Sequence, residues 1–345
     1  MKTLKDFSVI DKRILVRCDF DVPLDEKGNI ADDFRIKQAL PTIKYLIDSK
    51  AKIILMGHLG RPEGKIVPEL KLDNVAEKLA EHLKFSIEKE DDCVGPDAEV
   101  ESNKLAPGRV LLLENLRFHK EELDNNPEFA KELSYLGDIY VNDAFAVCHR
   151  NQASVSGVPK FLSSCAGLLL EKEIESLDKI LKNPEKPMVA IIGGKKVETK
   201  SKFIDKISKI ADFVIVSGLI AKEAAEKNIK FDNPEKIIMP VGKLDDFDIN
   251  DDSIKLFQEK IRQAKTIFWN GPFGKFEDKE YAKGTKAIAQ VIIDSGAYSV
   301  AGGGETVEFL NKQGIINQFS HVSTGGGAML AYLAGEKMPG LEALK

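Results

Sequence analysis

The sequence predicts an α/β fold of two doubly wound, Rossmann-like parallel-sheet domains joined by a long interdomain helix and hinge. Short β-branched runs alternate with amphipathic stretches along nearly the whole chain, which is typical of helices layered on parallel sheets. The chain has 345 residues, enough for two domains of roughly 150 residues each. Near its middle, a charged amphipathic stretch lies between Gly157-Val158-Pro159 and the pairs Asn183-Pro184 and Lys186-Pro187, which favours a helix between the two domains.

Each strand is predicted from a short apolar run and each helix from apolar residues at helical spacing. The predicted strands are 14–18, 53–56, 110–113, 139–142, 188–192, 213–216, 236–240, 266–269, 298–301 and 321–323. The helical patterns cover 35–49, 72–83, 127–136, 171–181, 199–206, 221–227, 252–264, 281–295 and 305–311. Ligands of such sheets bind beyond the carboxyl ends of the strands, so the residues that follow each strand are the candidates for function.

The composition excludes several classes of protein. With 50 Lys and Arg against 55 Asp and Glu, the net charge of −5 excludes a globally basic nucleic-acid-binding protein. The four cysteines are scattered without Cys-x-x-Cys spacing, and no apolar stretch follows a basic N-terminus, which predicts a reduced, cytoplasmic protein. Every apolar run is far shorter than the ~20 residues of a membrane-spanning helix.

Arginine is rare and concentrated in the first half of the chain. Only 8 of the 50 basic residues are Arg, and seven of these lie before position 151. Arg17 lies in the first predicted strand, Arg35 begins the next helix, and Arg61, Arg117 and Arg150 follow strand ends. One such arginine would more often be an ordinary solvated residue, but this chain uses 42 lysines for that purpose. Because guanidinium groups bind carboxylate and phosphate with paired hydrogen bonds, the set predicts a site for a small, highly anionic substrate.

Polar residues of other types accompany these arginines. His58 and His149 each stand beside an arginine and can donate to the same anion. Asp19 and Asp21 follow the first strand, where they either bind substrate hydroxyls and orient arginines or end the strand and pair with Arg17. The other three histidines are predicted to be structural.

Glycine is concentrated in the second half, where 17 of the 26 glycines lie after position 190. Clusters at 193–194, 302–304 and 325–327 follow predicted strands, and glycine lets backbone N–H groups approach phosphate oxygens. Lys196 and Lys200 stand one helical turn apart, where they either face one polyphosphate or form a solvated basic face. Neither a P-loop nor a dinucleotide-binding fingerprint is present.

The only tryptophan, Trp269, ends an apolar strand and precedes Asn270-Gly271-Pro272. This pattern is typical of a buried strand followed by a tight turn. It is also compatible with a flat apolar surface that binds a nucleoside, with the Glu277 carboxylate accepting a hydrogen bond from a ribose hydroxyl.

Taken together, these motifs resemble those of the phosphoglycerate kinase family, in order and over nearly the whole chain. The residues that carry the resemblance are Arg17 to Pro23, Gly57 to Pro62, Glu114 to Phe118, His149-Arg150 with Ala153-Ser154, Gly193-Gly194 with Lys196 and Lys200, Trp269 to Pro272, Gly302 to Thr306 and Ser323 to Ala328. The resemblance implies a kinase of glycolysis and gluconeogenesis that transfers a phosphoryl group reversibly between 1,3-bisphosphoglycerate and ADP, giving 3-phosphoglycerate and ATP. It further implies a monomer with small-molecule partners only, and no nucleic acid or membrane.

The resemblance also implies a division of labour along the chain. Residues 1–160 form the phosphoglycerate-binding domain, 161–187 the interdomain helix and hinge, 188–330 the nucleotide-binding domain, and 331–345 a segment that returns to the first domain. The implied phosphoglycerate-binding residues are Asp19, Phe20, Asp21, Arg35, His58, Leu59, Gly60, Arg61, Arg117, His149 and Arg150. The implied nucleotide-binding residues are Gly194, Lys196, Lys200, Gly218, Asn270, Pro272, Glu277, Gly303, Gly304, Glu305, Thr306, Gly325 and Gly326. Glu305 is the implied ligand of Mg²⁺, and Arg35, Lys196, Gly304 and Gly327 are the implied catalytic residues.

The chain departs from the family pattern in three places. Asp21 replaces an asparagine, Glu305 replaces an aspartate, and the segment between Ser217 and Asp252, on the nucleoside side, is short. These departures motivate one alternative, a catalytically weakened family member that binds nucleotide or phosphoglycerate without efficient turnover. A second alternative, an NAD-dependent dehydrogenase, is disfavoured by the missing dinucleotide fingerprint.

Overall fold

The computed structural model describes residues 1–194, 197–242 and 247–345. The chain forms two compact units, the first made of Met1–Glu173 with Lys337–Lys345 and the second of Ile174–Glu336. In the described part of the chain, no helix has the length and apolar character needed to span a bilayer.

The first unit is built on a six-stranded parallel sheet in the order β3-β4-β2-β1-β5-β6. Strand β1 lies inside the sheet, where Ile14 is in register with Ile53 of β2 and Ile139 of β5. The side chains of β1 are buried on both faces, as expected for a sheet covered by helices on each side. The strands are β1 (Arg13–Cys18), β2 (Lys52–Met56), β3 (Glu88–Lys89), β4 (Val110–Leu112), β5 (Ile139–Asp143) and β6 (Ser163–Ala166).

Helices of the first unit pack on this sheet through apolar faces. In α1, Ile36, Leu40 and Ile43 recur at helical spacing and are buried in the same core cluster as Ile14 and Val16 of β1. The helices are α1 (Phe34–Asp48), α2 (Asp73–Leu83), α3 (Pro96–Lys104), α4 (Lys120–Leu123), α5 (Pro127–Ser134) and α6 (Leu168–Lys182). The division between the two units falls within α6.

The second unit repeats the architecture with a parallel sheet in the order β12-β11-β10-β7-β8-β9. Its strands are β7 (Met188–Ile192), β8 (Phe213–Val216), β9 (Ile237–Ile238), β10 (Thr266–Asn270), β11 (Tyr298–Gly302) and β12 (His321–Ser323). Its helices are α7 (Val197–Ser208), α8 (Gly218–Glu226), α9 (Asp251–Arg262), α10 (Lys283–Ser295), α11 (Gly304–Lys312) and α12 (Gly326–Leu333). A last helix, α13 (Pro339–Glu342), belongs to the first unit, where the Gly340 N–H donates to the Cys148 carbonyl over 2.9 Å.

The predicted fold class is confirmed, since both units are α/β with six-stranded parallel sheets. The edge strands β3 and β6 were not predicted from the sequence, because β3 consists of two charged residues and β6 of Ser-Ser-Cys-Ala, so neither has an apolar run. The sequence also did not predict α3, whose side chains are mostly polar, or the four-residue helix α4. Helix α13 contains Leu341 and lies in the segment 331–345, where the resemblance implied a last helix. Helix α12 was not predicted either, because it begins with two glycines, which have a low helix propensity.

Candidate active site

In the first unit, the predicted anion-binding residues lie where strands end. Arg17 is in β1, Asp19 and Asp21 follow it, His58 follows β2, and Arg117 follows β4. Because these strands are parallel and neighbouring, their carboxyl ends meet at one edge of the sheet.

Arg35, the second residue of α1, is held by the two aspartates. Its Nη1 lies 3.0 Å from Asp19 Oδ2 and 3.9 Å from Asp21 Oδ2. Asp21 Oδ1 also accepts a hydrogen bond of 2.8 Å from the Gly60 N–H. The two carboxylates therefore orient an arginine and a loop, and the ion pair of Asp19 is with Arg35 rather than with Arg17 as one reading of the sequence had it.

Arg17 is fully buried and fixes which ring nitrogen of His58 carries the proton. Its Nε donates to Ser154 Oγ over 2.9 Å, and its Nη2 lies 3.0 Å from His58 Nδ1. A guanidinium group only donates, so His58 Nδ1 is the acceptor and the ring proton is on Nε2. Burial holds the pKa of His58 well below its usual range, and the positive charges of Arg17, Arg117 and Arg150 lower it further. His58 is therefore a neutral donor surrounded by cations.

The charge of Arg17 is balanced through a buried chain of hydrogen bonds. Ser154 donates to the Glu122 carboxylate from its Oγ over 2.6 Å and from its N–H over 2.8 Å. Glu122 is buried, and burial raises its pKa while Arg17 and the bonds from Ser154 lower it. The buried cation and anion thus share one hydroxyl, which satisfies the polar groups of both.

Arg117, which is also buried, has no such chain of hydrogen bonds to a carboxylate among the described residues. Its Nη1 donates to the Gly60 carbonyl over 2.7 Å, whereas its Nε and Nη2 have no hydrogen-bond partner among the described residues. Burial lowers its pKa to about 10, with Arg150 and Arg17 adding to the effect. Two buried donors on a cation, next to a neutral imidazole donor, form an incomplete hydrogen-bond set that an anion can complete.

The remaining predicted residues of the first unit differ in exposure. Arg61 is exposed, and its charge adds to burial in lowering the pKa of half-buried Arg150. His149 is half-buried. The side chains of Phe20 and Leu59 belong to the core, so only their backbone can face a ligand.

In the second unit, two turns touch backbone to backbone at the ends of β7 and β10. The Gly193 N–H donates to the Asn270 carbonyl, and the Gly194 N–H donates to the Pro272 carbonyl, each over 2.8 Å. A Cβ at Gly193 would lie 2.2 Å from the Gly271 carbonyl oxygen. The close approach therefore requires glycine, which accounts for one of the clusters seen in the sequence.

Lys200 lies against the same turn. Its ammonium donates to the Gly193 carbonyl, and burial lowers its pKa to about 8 while nearby Glu305 raises it. An added Cβ at Gly194 would meet Lys200 Nζ at 2.7 Å and Glu305 Oε2 at 3.8 Å. Lys196, the other predicted lysine, lies outside the described residues.

Two helices begin side by side beyond β11 and β12. An added Cβ at Gly326, the first residue of α12, would lie 3.0 Å from the Cα of Gly303, the residue that precedes α11. Gly303 has φ +102°, which side chains rarely tolerate, and the Asn270 Nδ2 donates to the Gly302 carbonyl over 2.9 Å. The free N–H groups of both helix N-termini favour anions at this edge.

The neighbouring residues complete this edge. Thr306 is buried, and its Oγ1 accepts from the Gly271 N–H over 2.8 Å. Gly218 begins α8 after the capping residue Ser217, whose Oγ donates to the Gly194 carbonyl over 3.0 Å. Two of the other predicted residues, Pro272 and Gly325, are buried. The remaining ones are exposed, namely Gly304, Glu305, Gly327 and Glu277.

A comparison with known proteins identifies the family. The profile of the family described as phosphoglycerate kinase matches residues 4–231 and 221–336. The chain is 41% identical over 388 residues to the phosphoglycerate kinase of Moorella thermoacetica, covering 99% of this chain and 98% of that one, and 42% identical over 390 residues to that of Finegoldia magna. This chain belongs to the phosphoglycerate kinase family.

Solved structures of phosphoglycerate kinases agree with this assignment. The enzyme from Pyrococcus horikoshii OT3 superimposes with a TM-score of 0.90 at 32% identity, covering 100% of this chain and 98% of that one. The enzyme from Coxiella burnetii superimposes with a TM-score of 0.82 at 35% identity, covering 99% and 98%. The chain is therefore a kinase-type transferase of glycolysis, and the comparisons favour neither a catalytically weakened member nor a dehydrogenase.

The structure decides between the two interpretations of Trp269 that the sequence left open. Trp269 does not offer a flat surface to a nucleoside, because it is fully buried and packs against Phe309 and Phe319 with ring centroids 6.4 and 6.0 Å away. Its Nε1 donates to the Gly271 carbonyl over 2.9 Å. Trp269 therefore supports the turn from inside the core, as the other reading of the sequence had it.

Three residues that position the site were not predicted from the sequence. Glu122 balances Arg17, and Ser217 links α8 to the Gly194 turn. Asn115 donates through Nδ2 to the carbonyls of Leu59 and Leu70, which ties the loop after β2 to the turn that carries Arg117. The sequence pointed to Asn115 only through its place in the family motif Glu114 to Phe118, and to Ser154, the partner of Glu122, only through its place in the motif Ala153-Ser154.

Proposed function

We propose that this chain catalyses the reversible, Mg²⁺-dependent transfer of a phosphoryl group between 1,3-bisphosphoglycerate and ADP, giving 3-phosphoglycerate and ATP. The observation that carries the proposal is the incomplete donor set of Arg117 beside neutral His58, at a sheet edge with further arginines. A ligand with several anionic groups supplies the missing acceptors.

In this proposal the first unit holds the phosphoglycerate. Arg117, Arg150, Arg61, His58 and His149 bind its phosphate and carboxylate, and Asp19 and Asp21 keep Arg35 pointed at the reacting end. The backbone of Phe20, Leu59 and Gly60 lines the pocket. Asp21 stands where the family has asparagine, and its Oδ1 accepts a hydrogen bond from the Gly60 N–H. An asparagine amide oxygen could accept the same bond, so the substitution is compatible with the observed conformation of the loop after β2.

The second unit holds the nucleotide. The N-termini of α11 and α12, with Gly303, Gly304, Gly325, Gly326 and Gly327, face the phosphates through backbone N–H groups. Gly194, Lys196 and Lys200 approach them from the β7 side. Gly218, Asn270, Pro272, Thr306 and Glu277 complete the binding site for ATP or ADP.

The residues of the second unit fit a magnesium ion bound with the nucleotide. Glu305 offers an exposed carboxylate on the first turn of α11, close to the Gly194 turn, and carboxylate oxygen is a ligand that Mg²⁺ prefers. When bound, Mg²⁺ would neutralise part of the negative charge of the nucleotide phosphates.

The reaction needs no general base. An ADP β-phosphate oxygen attacks the acyl phosphate phosphorus, the bond from phosphorus to the acyl oxygen breaks, and the carboxylate of 3-phosphoglycerate leaves with the bonding electrons. Both the nucleophile and the leaving group are stable anions, so catalysis consists of alignment and charge neutralisation. Arg35 and Lys196 stabilise the transferring group, and the N–H groups of Gly304 and Gly327 stabilise the charge on the nucleotide side.

The binding groups are divided between two units, so the proposal includes hinge bending around 161–187 when both substrates bind. We also propose a monomer in the cytoplasm. The location is supported by four free, buried cysteines, since a reducing compartment keeps thiols in this state.

A coupled assay tests the proposal. The enzyme is supplied with 3-phosphoglycerate, Mg²⁺ and either ATP or GTP, and 1,3-bisphosphoglycerate is detected by a reductase that consumes NADH. We expect turnover that chelation of Mg²⁺ abolishes. Binding of both substrates without turnover would contradict the proposal.

A further inference from the structure

A cluster of three potential metal ligands lies in the first unit, apart from the groups assigned to the substrate. Asp92 and Cys93 are in the loop between β3 and α3, and His119 immediately precedes α4. One ligand atom from each residue lies within 4.8 Å of the others. Strands β3 and β4 are neighbours in the sheet, which brings the segments that follow them together.

The local structure already orients two of the three groups. His119 Nε2 lies 2.6 Å from Asp92 Oδ1, and the same oxygen accepts from the Cys93 N–H over 2.6 Å. The imidazole packs against the Phe129 ring with centroids 5.1 Å apart. The Cys93 side chain is fully buried beneath this pair.

We propose that Asp92, Cys93 and His119 bind a divalent transition metal of the zinc class. Thiolate and imidazole are ligands for Zn²⁺ rather than for Mg²⁺, and carboxylate is the third ligand type of zinc sites. Ligand atoms around a tetrahedral zinc are about 3.5 Å apart, so the three atoms need to move by about 1 Å or less. The side chains of Asp92 and His119 are 56% and 28% exposed, which leaves the fourth position to solvent.

Acidic side chains lie around the cluster, and two of them are already paired with lysines. Lys71 Nζ is 4.0 Å from Asp91 Oδ1, and Lys104 Nζ is 2.8 Å from Glu101 Oε1. Glu121 and Glu132 lie near enough to act electrostatically on His119 in addition to Asp92. On binding, the metal takes the place of the Cys93 thiol proton and of the proton between Asp92 and His119. Both protons pass to solvent, and no redox partner is needed.

The chain contains a matched comparison for this site. His82 Nε2 lies 2.8 Å from Asp33 Oδ2, with side-chain exposures of 24% and 20%, but without a cysteine among the described groups that could join the pair. If a histidine and an aspartate were sufficient, both pairs would bind metal alike. If metal binding requires the thiolate, only the cluster that contains Cys93 binds metal.

Cobalt titration of the nucleotide-free protein tests the site. We expect one equivalent of Co²⁺ to give a thiolate-to-cobalt charge-transfer band and tetrahedral ligand-field bands. Zn²⁺ should remove these bands, whereas excess Mg²⁺ should not. A wild-type spectrum without the thiolate band overturns the proposal, whatever the variants do.

Variants then assign the ligands. Cys93→Ser and His119→Gln should each abolish the thiolate-type spectrum or weaken Zn²⁺ binding at least tenfold, the size expected from the loss of about 1.4 kcal/mol. His82→Gln and Cys165→Ser, which change a similar pair and another buried thiol, should bind as the wild type does. Equal Zn²⁺ affinity in Cys93→Ser and wild type, with circular dichroism confirming that both are folded, would refute the assignment.

Discussion

The two units are proposed to bind anions by different means. In the first unit the positive charge is on side chains, and some of it is buried in the form of Arg17 and Arg117. In the second unit most donors are backbone N–H groups at the N-termini of α11 and α12. Buried guanidinium groups lose hydration and need counter-charge or a ligand, whereas backbone dipoles cost no ionic desolvation but require glycine at the contact.

The contrast explains two features of the first unit. Arg17 is balanced by Glu122 through Ser154, so its buried charge is satisfied without substrate. Arg117 has two buried donors without a hydrogen-bond partner among the described residues, and burial lowers its pKa to about 10. One buried arginine therefore maintains the site, and the other is available to the ligand.

The largest effect is expected for Arg35 and Lys196, the two residues proposed to stabilise the transferring phosphoryl group. Arg35→Ala and Lys196→Ala should each lower kcat by about 10²- to 10³-fold, because each removes charge stabilisation that is greatest in the transition state. Steady-state kinetics in the coupled assay measures this loss. Lys44→Ala, a change on the same helix as Arg35, serves as a control, and a change confined to KM would contradict the assignment.

Replacing Arg117 tests whether the unpaired charge serves the ligand rather than the fold. Arg117→Met should lower kcat/KM for 3-phosphoglycerate by about 10- to 100-fold, the size of a lost charged hydrogen bond, with little change in KM for ATP. The ligand-free protein should lose no more than about 1 kcal/mol in unfolding free energy, because the substitution also removes the cost of burying the Arg117 charge.

Urea unfolding and kinetics are measured on the same Arg117→Met preparation. Arg109→Met removes an arginine of the first unit that stacks on Phe85 and should leave KM for 3-phosphoglycerate unchanged. A large loss of stability in Arg117→Met with normal substrate affinity would show that Arg117 is structural.

Substitutions at two glycines of the second unit distinguish glycine needed for backbone packing from glycine needed for nucleotide binding. Gly193→Ala should destabilise the protein by about 1–3 kcal/mol, because its Cβ would meet the Gly271 backbone at 2.2 Å. In Gly327→Ala, no atom of the described residues lies within 4 Å of the new Cβ, so the stability should be unchanged while the affinity for ADP falls. Thermal unfolding and ADP titration compare the two, and normal ADP affinity in Gly327→Ala would place the phosphates elsewhere.

The smallest effect concerns the protonation of His58. Its pKa is well below the usual value in the folded protein, because of burial and then nearby arginines, so the unfolded chain takes up this proton first as the pH falls. Stability should therefore decrease as the pH falls through about 6.5, by at most about 1.4 kcal/mol per pH unit from this group. Urea unfolding from pH 7.5 to 5.5 should show a shallower decrease for His58→Gln, and an identical slope would contradict the neutral assignment.

Much of this site could be predicted because it follows from chain order. Arginines and glycines placed after apolar strands come together wherever the strands are parallel, as Arg117 and Gly60 do in the first unit. The role of Glu122 could not be predicted, because a glutamate in a short polar helix is ordinarily solvated and only its burial beside Ser154 makes it a counter-ion. Trp269 was ambiguous because the end of a strand can face either the core or a ligand.

By itself, the sequence determined the fold class, the family and the types of residue at each strand end, because these depend on periodicity and local motifs. Tertiary structure alone decided which buried charges are paired, that the His58 proton is on Nε2, and that Trp269 belongs to the core. The reason is physical. Hydrogen bonding, desolvation and pKa depend on neighbours that are distant in the chain, such as Ser154 for Arg17, and only folding brings them within reach.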